Sequence, residues 1–375
     1  MNITLLWMLA IPIVGAACFY YFNEDLPWYS SLVAAMVGFI IVFIGFYAGY
    51  GSKVADTELW NGKIVSKARV HDTYEESYSC NCHTTRSGNS TTTTCDTCYR
   101  THYTVHWGCE STIGSFTIKD LDSLFRSVYS EPDPNRFTII HVGDPVAQTH
   151  MYTNYVQAVP NSLFAAVDAN LMKSFEPILP EEPIHIYDIY HVDRFLSPGF
   201  SFVDAPQWNA DISEMLKDIG TQKQVNVSIV VAKTADRSYA EALRTKWEGV
   251  NKNDVVVVFG SLDGQKIEFV QALSWTKSEI FKVELIDKLQ SLGTISRPQV
   301  ISIIHDQILK NFERRHMREF KYLKGEIDPP GWVITLVIVI LVLGYGYASF
   351  ANKINFVRSV LLAKSSRGHR RQLVR

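Results

Sequence analysis

Five of the six cysteines fall between Cys80 and Cys109, in the order C-x-C, twelve residues, C-x-x-C and, ten residues further on, one more. Two short knuckles a dozen residues apart suit a zinc ion, because four thiolates must converge tetrahedrally at about 2.3 Å from it. Cys80, Cys82, Cys95 and Cys98 form that set, with Arg86 to Ser90 as the turn between knuckles and His83 and Cys109 in reserve. The rival chemistry is oxidation, since outside the cytoplasm the same cysteines would cross-link a small sheet. Five thiols leave one unpaired, which counts against a pure disulfide framework and favours structural zinc. Redox catalysis through Cys95-x-x-Cys98 would need βαβ surroundings, which the flanking residues do not offer. His102 and His106 share a strand face at even spacing, where histidines are ordinarily solvated. Asn89-Ser90-Thr91 and Asn226-Val227-Ser228 match the glycan acceptor pattern of exported eukaryotic chains.

Which chemistry applies depends on the side of a membrane these cysteines occupy. Residues 3–22 and 32–50 carry no charge and are almost wholly apolar or aromatic, each long enough to cross a hydrocarbon core of about 30 Å. The first lacks the basic n-region of a signal peptide, and a nine-residue linker leads to the second, so residues 1–50 read as a transmembrane hairpin. A third span covers residues 331–351, after Pro329-Pro330 and with Trp332, Tyr345 and Tyr347 as interfacial aromatics. Its basic tail, residues 352–375, is expected in the cytoplasm by the positive-inside tendency, which puts residues 51–330 outside. Arg314, Arg315, Arg318, Lys321 and Lys324 on the other flank oppose that orientation. Within the tail, Ile354, Val357, Val360 and Leu361 recur at helical spacing between basic residues, a pattern that fits either an interfacial helix or a solvated tail.

Between the spans the chain has room for two modules. Residues 51–177 read as β-rich, with runs at 63–70, 101–107, 115–118 and 137–141. This stretch, from Leu59-Trp60-Asn61-Gly62 through the cysteines to Gly143-Asp144-Pro145 and Tyr152-Thr153-Asn154-Tyr155, resembles a module of uncharacterised membrane proteins from large tailed bacteriophages and their hosts. Pro177, Pro180, Pro183 and Pro198 then mark residues 178–199 as a linker or extended edge segment.

Residues 200–318 alternate helix and strand patterns. The spacing predicts helices over 209–219, 236–248 and 278–290 and one capped by Ser296, with buried strands at 225–232 and 254–260. Asp263-Gly264 then reads as a hairpin turn into a strand at 266–270. The fold class expected is therefore a multi-domain membrane protein: α-helical transmembrane spans, a β-rich cysteine module and an α/β sandwich.

Phe202-Val203-Asp204-Ala205, Val227 to Val231, Ser238-Tyr239-Ala240, Trp247 and Asn253-Asp254 resemble the TPM domain family. The resemblance implies an extracytoplasmic domain tethered by a C-terminal span, in a family where some members bind calcium or are linked to phosphatase activity and membrane-complex assembly. Asp204 and Asp254 are the calcium contacts it implies, with Asp263 and Glu268 as additions. Capping for Asp204 and turn formation for Asp254 are the alternative roles, and a glycine usual after the position of Asp254 is Val255 here.

Basic and acidic residues number 36 and 38, which argues against nucleic acid as a partner. No P-loop, G-x-S-x-G or H-E-x-x-H pattern occurs. The expectation is a non-enzymatic binding or scaffolding protein of a bacterial inner membrane, with a protein partner and with lipid held through three spans and the basic tail. The alternative is a metal-dependent phosphohydrolase carried by the α/β domain.

Overall fold

The computed structural model describes residues 2–23, 26–87, 90–118, 133–159, 169–183 and 193–372. The chain divides into two compact units, Met1–Asp56 with Met151–Ala166 and His316–Arg375, and Thr57–His150 with Val167–Arg315.

In the first unit, α1 (Ile3–Phe22), α2 (Tyr29–Val54) and α10 (Gly331–Gln372) are helices, apolar along α1, along most of α2 and along the first half of α10. Asn2 caps α1 by accepting the N–H groups of Thr4 at 2.8 Å and Leu5 at 3.3 Å. All three are long and apolar enough to cross a membrane, α10 over Gly331–Ile354. The α10 helix runs on through the basic tail to Gln372. Leu5 and Met8, Val42 and Phe46, and Val337 and Leu341 form their shared core, while Trp7, Ile13, Ile40, Leu336 and Val342 remain exposed. Such outward apolar surface suits a hydrocarbon solvent. Tyr345 crosses the bundle, its hydroxyl donating to Ala34 O at 3.1 Å. The short helix α4 (Tyr155–Ala158) and a 3-10 helix, Met317–Glu326, also belong to this unit.

The second unit holds two sheets. In the first the order is β3-β2-β1-β4, with β1 (Ala55–Ser87), β2 (Ser90–Ser111), β3 (Gly114–Ile118) and β4 (Pro145–Thr153). Its core gathers Ile64, Trp107, Cys109, Ile118, Phe137, Ile140 and Val146. Beyond Val70 and His106, β1 and β2 continue alone as a two-stranded ribbon paired as far as Ser87 and Ser90. The run at 137–141, expected as a strand, lies largely in a helical turn, α3 (Asn135–Ile139). Pro134 starts it, its carbonyl accepting from Phe137 N at 2.8 Å and Thr138 N at 3.1 Å. Phe137 and Ile140, three apart, are thereby both buried.

The second sheet, in the order β5-β6-β7-β8, comprises β5 (Phe195–Leu196), β6 (Asn226–Lys233), β7 (Asp254–Ser261) and β8 (Phe269–Ser274). The first three run parallel and β8 antiparallel. Val255 to Val258 are completely buried because helices cover both faces. On one side lie α6 (Ala205–Lys223), α8 (Glu279–Gln290) and α9 (Arg297–Asn311), through Trp208, Leu285 and Ile304. On the other lie α5 (Ala169–Phe175) and α7 (Tyr239–Lys246), through Phe175, Tyr239 and Leu243. Each fully buried aliphatic side chain contributes about 1.5–3 kcal/mol, so this double burial holds the sandwich together. The proline-rich connection is partly built into it: Phe195–Leu196 is an edge strand, and Leu179 is buried against the α7 layer. The strand expected at 266–270 begins only at Phe269, because Asp263 Oδ1 ties the N–H groups of Gln265 and Lys266, each at 2.8 Å, into a wider turn.

Candidate functional site

The four cysteines assigned to zinc do not converge on one point. They are joined as two disulfides, Cys80–Cys98 and Cys82–Cys95, with Cα separations of 5.8 and 4.0 Å. Strand pairing is the physical reason. Tyr78 stands opposite Cys98 and Cys80 opposite Asp96, which puts Cys80 and Cys98 diagonally on one face. Cys95 and Cys98, three apart, point to opposite faces of β2, whereas C-x-C would put Cys80 and Cys82 on the same face of β1. A β-bulge reconciles the two spacings: between the pairs Cys80–Asp96 and His83–Thr94, Asn81 and Cys82 together oppose Cys95. Asn81 takes the left-handed conformation there, with φ of 46°. The unequal knuckles, C-x-C against C-x-x-C, were the sequence signal for this bulge. Of the turn expected at Arg86–Ser90, Ser87 and Ser90 are still paired, and Gly88 and Asn89, with the first glycan acceptor, lie outside the described residues. The second acceptor, Asn226, is buried in β6.

Of the reserve ligands, Cys109 is a free thiol buried in the sheet core, where desolvation pushes it above its ordinary range, and His83 is exposed on the ribbon. His102 Nε2 meets Glu76 Oε2 at 2.7 Å and stacks on Tyr74 with ring centres 5.0 Å apart. His106 Nδ1 meets Asp72 Oδ2 at 2.8 Å. Each histidine is thus tied across the ribbon to its own carboxylate. Residues 71–79 and 91–97 are exposed on both faces, and Tyr74, Tyr78, Tyr99 and Tyr103 are each more than 40 % accessible. An isolated two-stranded ribbon is marginally stable in water. Two staples near its far end, with threonine pairs such as Thr84–Thr93 at 3.2 Å beyond them, hold this one in shape.

The acidic residues assigned to calcium have separate partners. Asp204 sits at the N-cap of α6, where its carbonyl accepts from Trp208 N at 3.0 Å and its carboxylate lies 3.8 Å from Arg297. Asp254 opens β7, buried, with Oδ1 accepting from Asn226 Nδ2 at 2.9 Å and Oδ2 from Asn251 N at 3.0 Å. Asp263 closes its turn, and Glu268 pairs with Lys266 at 3.0 Å. Among the described residues no group of three or more His, Cys, Asp or Glu side chains is arranged to hold a metal ion.

A buried polar relay went unread in the sequence. Arg194 is 2 % exposed; its Nε donates to Asn226 Oδ1 at 3.2 Å, Nη1 to Ser213 Oγ at 3.1 Å and Nη2 to Asn61 Oδ1. Asn61, on β1, also donates to Val225 O at 3.0 Å, so the relay joins the β-rich sheet to the α/β sheet. Burial pulls the Arg194 guanidinium below its ordinary value and pushes the Asp254 carboxyl up to about 6, the hydrogen bonds from Asn226 and Asn251 opposing the latter. Glu58, also buried, accepts from Trp60 Nε1 at 2.8 Å and from Arg314, with Lys252 Nζ at 3.6 Å. Beside α6 a cavity of about 800 Å3 is lined by Asn61, Val146, Arg194, Asn209, Ser213 and Leu216. The relay's polar groups are engaged with one another, which makes it a structural joint. The exposed, stapled ribbon is the feature shaped to meet something else.

Comparison with protein-family models, with curated proteins and with solved structures finds no match to this chain.

Proposed function

We propose that this chain is a membrane-anchored, non-enzymatic binding or scaffolding protein that offers its disulfide-stapled ribbon to a protein partner outside the cytoplasm. The observation that carries this reading is the ribbon itself: two strands exposed on both faces, cross-linked twice, with four exposed tyrosines. Tyrosine supplies large contact area at low entropic cost, and a pre-stiffened arm loses little freedom on binding. Disulfides persist in oxidising compartments, which supports an extracytoplasmic ribbon and, with three apolar helices, a cytoplasmic basic tail. A bacterial inner membrane and a TPM-like role for the α/β sandwich in building a membrane complex are consistent with this arrangement.

The test is photo-crosslinking in native membranes with a reactive side chain in place of Tyr99 or Tyr103. The expected result is a discrete protein adduct at both positions that disappears in Cys80→Ser/Cys98→Ser chains expressed at the same level. Adducts no different from those obtained at Val65, exposed near the base of the same sheet, would overturn the proposal.

A further inference from the structure

The 3-10 helix Met317–Glu326 carries a three-residue repeat. With three residues per turn, side chains at i and i+3 eclipse and form straight ridges. Met317, Phe320 and Leu323 make one ridge, packed against Val54, Tyr155, Ala158 and Ile327. Arg318, Lys321 and Lys324 make the next, all three exposed. At a rise of about 2.0 Å per residue, successive members of this ridge follow one another at about 6 Å along the helix axis. Lys324 lies 5.3 Å from the centre of the Tyr155 ring, and among the described residues none of the three forms an ion pair with a carboxylate. Glu319, on the third ridge, is occupied in capping, its carboxylate accepting from His316 N at 3.2 Å.

The place of this ridge in its unit gives the charges a purpose. Asn2, the cap of α1, donates to Ile327 O at 2.9 Å. Near the end of α2, a Cβ on Gly49 would stand 2.9 Å from Pro329 and 3.0 Å from Val333. Four residues separate the 3-10 helix from α10. One end of each apolar helix therefore meets this segment, where Tyr322 and Trp332 are 73 % and 68 % exposed, as aromatics at a membrane surface are. A row of cations without carboxylate partners beside such a surface suits lipid phosphates.

We infer that the ridge of Arg318, Lys321 and Lys324 binds the headgroups of anionic phospholipids in the leaflet on this side of the membrane. The inference rests on the membrane-anchored reading above. The apolar ridge fixes the helix to the bundle while the basic ridge holds the headgroups, so the site anchors this end of the bundle at the bilayer surface without any contribution from the tail.

The experiment uses the full-length chain reconstituted into mixed phosphatidylglycerol–phosphatidylcholine vesicles, extracted in mild detergent and examined for retained lipid by native mass spectrometry. Each cation is worth about fivefold in preference for the anionic lipid, so Lys321→Gln should lower retained phosphatidylglycerol by about that factor, and Arg318→Gln/Lys321→Gln/Lys324→Gln should abolish the preference. Lys321→Arg, which keeps the charge, and Lys282→Gln on α8 should behave as the unsubstituted chain. The triple variant keeps the apolar ridge, and an unchanged melting temperature shows that it is folded. Equal phosphatidylglycerol retention by a folded triple variant would overturn the inference while leaving the anchored reading standing. Release of the unsubstituted chain from membranes by alkaline carbonate would overturn that reading itself.

Discussion

Arg194 and Asp254 are opposite charges, both buried, that meet through a single amide: Asn226 accepts from the guanidinium at 3.2 Å and donates to the carboxylate at 2.9 Å. Neither ion can be removed without leaving the other buried with a weaker counter-charge. Arg194→Met is therefore expected to lower stability by about 3 kcal/mol, in the range for breaking a buried pair. Denaturant unfolding of the detergent-solubilised chain, followed by tryptophan fluorescence, measures it, and a loss below about 1 kcal/mol would show that the relay is energetically idle.

The same carboxyl sets a pH dependence. Buried Asp254 is pushed up to about 6, chiefly by desolvation, from about 3.9 in an unfolded chain. Between these values the folded state binds the extra proton, so this group's contribution to stability is full below about pH 4 and is lost as pH rises through 6. Asp236 and Asp263, whose carboxyls are held low by hydrogen bonds, act in the opposite direction. The diagnostic is thus a difference: Asp254→Asn should gain on the unsubstituted chain as pH is raised from 4 to 6.5, by up to about 1.4 kcal/mol per pH unit. Melting curves of the two chains that stay parallel across that range would contradict the assignment.

Thiol counting separates the two chemistries open to the cysteines. With Cys80–Cys98 and Cys82–Cys95 bonded, and Cys18 and Cys109 free, the denatured but unreduced chain should react at two thiols and the reduced chain at six, with no zinc by elemental analysis. Six reactive thiols without reduction and one zinc per chain would reverse the pairing. Cys80→Ser/Cys98→Ser should also raise amide hydrogen exchange along residues 71–106 while leaving β6 and β7 protected, because only the ribbon depends on its staples.

The contrast between β7 and the ribbon explains what was legible in advance. Four consecutive valines flanked by helical periods can only be a strand covered on both faces, and α6 to α9 followed from their apolar spacing. The ribbon carries little of such a mark: residues 71–79 and 91–97 are exposed on both faces, so alternation reveals a strand only at 101–107, where Tyr103, Val105 and Trp107 alternate with polar residues. Without that register the cysteine spacing leaves knuckles and cross-links as rival readings, and the odd thiol tips the choice to zinc. Phe195–Leu196 falls within the reading of residues 178–199 as a linker or extended edge segment, but two residues are too few to carry a period that would mark the strand itself. Arg194 was unreadable for a different reason, since its partners Asn61 and Asn226 stand 133 and 32 residues away and nothing local distinguishes it from a solvated arginine.

Where β1 approaches α6 there is no room for another atom. A Cβ on Gly220 would stand 2.6 Å from Asn61 Cβ and 2.8 Å from Asn61 O. Asn61 cannot retreat freely, because its amide holds Val225 O at 3.0 Å and Asn226 Oδ1 at 3.2 Å and accepts from Arg194. In an exposed helix interior, glycine to alanine gains about 1 kcal/mol from backbone entropy; overpacking here costs about 1–3 kcal/mol and breaks the alignment of the relay. Gly220→Ala should therefore destabilise the chain, whereas Gly325→Ala in the 3-10 helix, where a Cβ meets nothing within 4 Å, should be neutral or stabilising. Because the clash acts through Asn61, Gly220→Ala should lose part of its penalty in an Asn61→Gly background, which removes one of the two contacts. A penalty unchanged by Asn61→Gly would place the strain elsewhere on α6.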